Sequence, residues 1–189
     1  MKTENFSKIK IKICGLRRRE DILAVNEANP DYCGFIVEFP KSFRSVTADE
    51  VRELVKNLSP EIQPVGVFVN ASIELVRSLL DDGTLAMAQL HGQENESYIA
   101  ELKAHTDKPV IKAFCIKKEE DVRQAERSPA DFILLDSGAG TGRTFEWEWI
   151  KHMERPYFLA GGIHIDNVEK ALEQLKPYAI DVSSGIETE

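Results

Sequence analysis

Ile9-Lys10-Ile11-Lys12-Ile13-Cys14-Gly15-Leu16-Arg17 is the stretch on which the fold turns. Its strict alternation reads as a β-strand, because successive strand side chains point to opposite faces. Gly15 then opens a turn. An open, doubly wound nucleotide-binding sheet would carry G-x-G-x-x-G at this point, and Cys14-Gly15-Leu16-Arg17 does not match it. The competing solution is a closed ring of parallel strands.

The pattern downstream decides between the two. Short apolar runs alternate with longer amphipathic stretches along the whole chain. Strands are expected at Tyr32–Val37, Val65–Val69, Ala86–Leu90, Pro109–Phe114, Asp131–Leu135, Tyr157–Leu159 and Ala179–Val182. Helices are expected near Arg19–Ala28, from Thr47 to about Leu58, across Ile73–Leu80, and at Glu96–His105, Glu119–Arg127, Phe145–Met153 and Asp166–Leu175. Thr47 with Glu50 three residues on has the form of a capping box. Eight strands and seven helices in strict β-α order predict one (β/α)8 TIM barrel over residues 1–189. Such barrels typically take about 250 residues, so the C-terminal eighth helix is expected to be lacking, with apolar surface left on the first and last strands.

Composition narrows the function. Of 189 residues, 42% are hydrophobic, and 32 acidic side chains face 24 basic ones for a net charge of −8. That supports a folded core and argues against nucleic acid or an anionic membrane as partner. No stretch approaches the roughly 20 apolar residues of a membrane span, and Met1 to Ile13 does not have the form of a signal peptide. The three cysteines, Cys14, Cys33 and Cys115, suit neither a disulfide framework nor a zinc site. A cytoplasmic, reduced protein is expected, monomer or homodimer, without metal or cofactor.

Barrel enzymes keep their chemistry at the carboxyl ends of the strands. There the sequence places Cys14, Arg44, Asn70, His91, Cys115 and Asp136. Ala160-Gly161-Gly162 and Ser183-Ser184-Gly185 follow the last two strands, the usual phosphate position of this fold. Their glycines let backbone N–H groups close on an anion, and the serines add donors. Asp136 leaves the apolar run Phe132-Ile133-Leu134-Leu135, and burial of that kind raises a carboxyl pKa toward general-acid work. A buried lone cysteine is more often core filler, but Cys14 ends a strand directly before Gly15. Cys33 reads as core. His91 reads equally as a binding group or a local hydrogen-bonding one. Side-chain parity pairs Lys12 with Asp181 inside the ring, and Gln89 and Lys112 are expected to point inward too. Gly138-Ala139-Gly140-Thr141-Gly142 lacks the Gly-Lys-[Ser/Thr] of a phosphate loop and reads as a lid.

Together these motifs resemble the phosphoribosylanthranilate isomerase family of tryptophan biosynthesis. The resemblance rests on Lys12-Ile13-Cys14-Gly15-Leu16, Gly34-Phe35-Ile36 with Pro40-Lys41-Ser42-Phe43-Arg44, Gly66-Val67-Phe68-Val69-Asn70 and Gln89-Leu90-His91-Gly92. It continues through Leu134-Leu135-Asp136, Gly140-Thr141-Gly142, Phe145-Glu146-Trp147, Ala160-Gly161-Gly162 and Asp181-Val182-Ser183-Ser184-Gly185. It implies an isomerase acting on a small phosphorylated substrate, N-(5-phosphoribosyl)anthranilate, by an Amadori rearrangement with no cofactor. Cys14 would be the general base and Asp136 the general acid. Arg44 and His91 would bind substrate, and Gly161, Gly162, Ser183, Ser184 and Gly185 would hold the phosphate. Ala139, Glu146 and Phe43 depart from the family's usual Gly, Asp and Pro. Two other readings stand beside this one: another sugar-phosphate barrel enzyme, and a barrel that binds phosphate compounds without catalysis.

Overall fold

The computed structural model describes residues 9–136 and 147–186. Eight parallel strands form the frame: β1 Lys10–Cys14, β2 Tyr32–Val37, β3 Gln63–Phe68, β4 Met87–Leu90, β5 Val110–Cys115, β6 Phe132–Asp136, β7 Tyr157–Leu159 and β8 Ala179–Val182. β1 pairs with β2 on one side, at Lys12 to Tyr32, and with β8 on the other, at Lys12 to Asp181. Every strand therefore has two neighbours and the sheet closes into a barrel. The expected fold is borne out.

Between the strands lie α1 Arg19–Ala28, α2 Ala48–Val55, α3 Ile73–Asp81, α4 Glu96–Lys103, α5 Glu119–Glu126 and α6 Val168–Gln174. The capping box of α2 is present: the Thr47 hydroxyl accepts from the Glu50 N–H, and the Glu50 carboxylate accepts from the Thr47 N–H at 2.7 Å. Three expectations need correction. α2 ends at Val55, not near Leu58, because Asn57 and Leu58 turn tightly onto Leu54 and Val55 ahead of Ser59-Pro60. In place of an α-helix around Phe145–Met153, the described part is one 3-10 turn, Trp147–Ile150, stopped before Arg155-Pro156. Ser45–Val46, a stretch with no expected strand, forms a two-residue strand against Ile36 and Val37, where β2 runs past the last β1 pairing of Cys14 with Gly34.

Alternation along the strands sorts the core into two layers. Outer-facing Cys33, Phe35, Phe68, Ala88, Leu90 and Val110 pack under the helices of one half. Ile133, Leu135, Tyr157, Leu159 and Ile180 do the same in the other half. Inside the ring, Tyr32, Val65, Met87, Ile111, Leu134 and Phe158 fill the amino-terminal end, with the Tyr32 and Tyr178 hydroxyls 2.7 Å apart. Lys112 shares its face with Val110, so it lies on the outer side and not inside the barrel as expected. Ile11, on the outer face of β1, is 46% exposed, whereas Cys33 and Phe35 on the outer face of β2 are at 0%.

Burial pushes the Cys33 thiol from its ordinary 9.0 up to about 12. Burial and the hydrogen bond with Tyr178 push the Tyr32 phenol up as well. An acid whose folded pKa is raised adds stability that is complete below the unfolded value and fades as pH climbs to the folded one. The melting temperature should therefore fall steadily from 9.0 to about 12 on the pH scale, and Cys33→Ala should fall less steeply. Thermal melts across that interval check this; parallel slopes for the two proteins would contradict it.

Candidate active site

The carboxyl-terminal rim is built around the turn after β1. Gly15 adopts a positive φ of 100°, and a Cβ there would stand 2.6 Å from Arg44 Cδ and 3.3 Å from Ser183 Oγ. The missing side chain thus lets the loop after β2 and the end of β8 both close on Cys14. Gly34 does the same from the side. A Cβ on it would lie 2.6 Å from Cys14 Sγ and 3.2 Å from Lys12 Nζ.

Lys12 is fully buried inside the ring, and its ammonium donates to both Asp181 oxygens at 2.9 Å. The parity expectation of that ion pair holds. Burial works against the lysine charge, but Asp181 and Cys14 together outweigh it and hold Lys12 above its usual range. Burial pushes the Asp181 carboxyl up, and Lys12 only partly pulls it back. Cys14 hydrogen-bonds Lys12; burial pushes its thiol up against the opposing pull of Lys12.

Across the ring, Asp136 ends β6 beside Cys115 of β5. His91 Nε2 lies 3.5 Å from Asp136 Oδ2, and His91 Nδ1 lies 2.9 Å from Gln89 Nε2. With the carboxamide nitrogen donating, Nδ1 accepts, so Nε2 carries the hydrogen that faces Asp136. Gln89 is inside the ring, as expected. The loop that bears His91 is braced by a pair the sequence reading missed. Lys112 Nζ donates to Glu94 at 3.0 Å and to the Gly92 carbonyl at 2.7 Å, while Glu94 accepts from the Asn70 and Gly92 N–H groups. Glu94 stands just before the Asn95 cap of α4 and looks in sequence like an ordinary solvated acid near a helix start.

Arg44 stacks its guanidinium 4.2 Å from the Phe43 ring centroid, at an exposed face of the rim. Gly161 and Gly162 both take positive φ, 76° and 68°, and Asn167 Nδ2 donates to the Gly162 carbonyl at 2.7 Å. A Cβ on Gly185 would lie 2.5 Å from the Ile163 carbonyl oxygen, so the turns after β7 and β8 touch. Ser183 and the short 3-10 turn Ser184–Ile186 complete that side. A groove of about 610 Å³ runs along α1 on the outer side of β1, lined by Ile13, Asp21, Ala24, Val25 and Ala28, and reaches Cys14 and Ser183 at the rim. Gly138–Gly142 and Phe145-Glu146 lie outside the described residues. Among the described residues no three His, Cys, Asp or Glu side chains gather as a metal site, and no helix is long and apolar enough to cross a membrane.

Known proteins resemble this chain in sequence and in fold. Residues 11–189 match the family model described as PRAI: N-(5'phosphoribosyl)anthranilate (PRA) isomerase. The chain is 43% identical over 184 residues to the N-(5'-phosphoribosyl)anthranilate isomerase of Endomicrobium trichonymphae, covering 95% of this chain and 90% of that one. The protein of the same name from Thermoanaerobacter pseudethanolicus is 42% identical, with 96% and 90% covered. The crystal structure of phosphoribosyl anthranilate isomerase from Thermotoga maritima superposes with a TM-score of 0.87 at 34% identity, again covering 96% and 90%. A further solved isomerase, at a TM-score of 0.83 and 33% identity over 96% of this chain and 90% of that one, is in complex with reduced 1-(o-carboxyphenylamino)-1-deoxyribulose 5-phosphate.

The tight fit around Gly34 gives a direct test of this geometry. Gly34→Ala should cost about 1–3 kcal/mol through overpacking against Cys14 and Lys12. Urea unfolding measures it, and an unchanged midpoint would show that the two side chains do not stand where described.

Proposed function

Because the chain belongs to the N-(5'-phosphoribosyl)anthranilate isomerase family, we propose that it converts N-(5'-phosphoribosyl)anthranilate to 1-(2-carboxyphenylamino)-1-deoxyribulose 5-phosphate in tryptophan biosynthesis. The step is an acid/base Amadori rearrangement. The Asp136 carboxylic acid protonates the furanose ring oxygen as the C1–O bond breaks, and the anthranilate nitrogen lone pair completes a Schiff base. The Cys14 thiolate takes the proton from C2, and the C2–H electron pair forms the C1=C2 bond and neutralises the protonated Schiff base to give an enolamine. Loss of the O2 proton and gain of one at C1 yield the ketone. Only protons move, so the chemistry calls for neither a redox group nor a group carrier.

The observation that carries this reading is the opposition of Cys14 and Asp136 at the ends of β1 and β6, on separate sides of one closed ring. A base at C2 and an acid at the ring oxygen need that separation. Arg44, a planar fork held over Phe43, suits the anthranilate carboxylate. His91 borders the acid and lines the substrate on that side. The touching turns of Gly161-Gly162 and Ser183-Ser184-Gly185 suit the phosphate. The solved relative that binds the reduced product analogue supports a phosphorylated ligand of this class. A biosynthetic role of this kind fits a cytoplasmic enzyme.

Cys14→Ala and Asp136→Asn should each lower turnover by at least about 100-fold, the usual worth of a general acid or base, with ligand binding retained. Anthranilate fluorescence follows the reaction. Near-normal rates in both variants would overturn the scheme. Arg44→Lys should raise KM more than it lowers kcat, because the lost contact is made in the ground state too.

A further inference from the structure

The scheme above uses neither Lys12 nor Asp181, yet both are charged groups buried inside the barrel directly beneath Cys14. Lys12 is at 0% exposure and its side chain reaches two acceptors at once, the Asp181 carboxylate at 2.9 Å and the Cys14 thiol. The absent side chain of Gly34 makes room for this meeting, since its Cβ would lie 3.2 Å from the ammonium and 2.6 Å from the sulfur. A lysine placed this way is costly in a core unless something needs its charge.

We propose that Lys12 and Asp181 are positioning residues that set the thiolate content of Cys14, the ammonium favouring the thiolate and the carboxylate competing with it for that ammonium. This rests on the reading of Cys14 as the general base. Among the described residues, these groups lie near Cys14. Lys12 lies on its own strand, Gly34 on β2 with Cys33 next to it on the outer face, Arg44 on the loop after β2, and Asp181 and Ser183 on β8. Cys33 is pushed up to about 12 and stays a thiol through the neutral range. Burial is the largest influence on Cys14 and raises it; Lys12 and Arg44 lower it, and Asp181 raises it.

The two charges therefore act on the sulfur with opposite sign, whereas a purely structural pair would fail alike when either member is removed. That difference is measurable without substrate. In a Cys115→Ser background, which removes the exposed thiol, the rate of Cys14 alkylation by iodoacetamide is followed by mass spectrometry from neutral to alkaline pH. Each unit of pKa changes the thiolate fraction about tenfold at a fixed pH below the pKa. Lys12→Met should slow alkylation about tenfold or more, and Asp181→Asn should speed it. An unchanged rate in Lys12→Met, or a slower or unchanged rate in Asp181→Asn, overturns the proposal. If Lys12→Met does not melt cooperatively, the sign seen in Asp181→Asn decides alone. Turnover of the parent protein is measured in parallel: absent turnover with the two opposite shifts intact rejects the isomerase reading and leaves the charge assignment standing.

Discussion

The backbone pairing of β1 with β8 is the constraint on which the rest depends. It joins residues 10–13 to residues 179–182, the two ends of the described chain, and turns a twisted sheet into a ring. Its register is specific: Lys12 stands opposite Asp181, and both side chains point inward. A slip of one residue would turn Lys12 outward and Ile11 into the ring, so closure and the buried charge pair specify each other. The same register carries Cys14 and Ser183 to one place on the rim, with Gly15 between them and Arg44.

A buried ion pair is a poor way to stabilise a core. Desolvation of two charges consumes much of their mutual attraction, and an apolar pair of similar size commonly serves stability as well or better. The lower barrel already has such filling in Tyr32, Phe132, Phe158 and Tyr178, packed edge-to-face or tilted with centroids 5.0–5.8 Å apart. The interior thus changes character along its axis, from aromatic at the amino-terminal end to charged just below the rim. A fold that needed only packing would continue the aromatic filling upward. The change falls directly under Cys14, where proton chemistry requires charge.

The sequence made the frame legible because each strand alternates or runs apolar and each helix keeps one buried stripe. Parity alone located the Lys12–Asp181 pair, since strands one and eight must be neighbours in a closed ring. The same inference placed Gln89 inside correctly but Lys112 wrongly, because Lys112 shares its face with Val110 and pairs beside Leu90, both in the outer layer. What decides Lys112 is Glu94, and that contact is tertiary: the acid folds back from the α4 entry onto β5 and onto the backbone of Asn70. The short strand Ser45–Val46 was hidden for the same reason, because only the overhang of β2 beyond β1 gives it a partner. Gly34 reads as an ordinary strand residue until the positions of Cys14 Sγ and Lys12 Nζ are known.

The central claim is that Cys14 removes a proton from C2 while Asp136 opens the sugar ring. Its most direct test is the fate of the C2 hydrogen. With substrate deuterated at C2, a single turnover should run more slowly than with the unlabelled compound, and mass spectrometry of the product should show the deuterium released to water. Complete transfer of the label to C1 of the product would mean an internal hydride shift and would contradict the account.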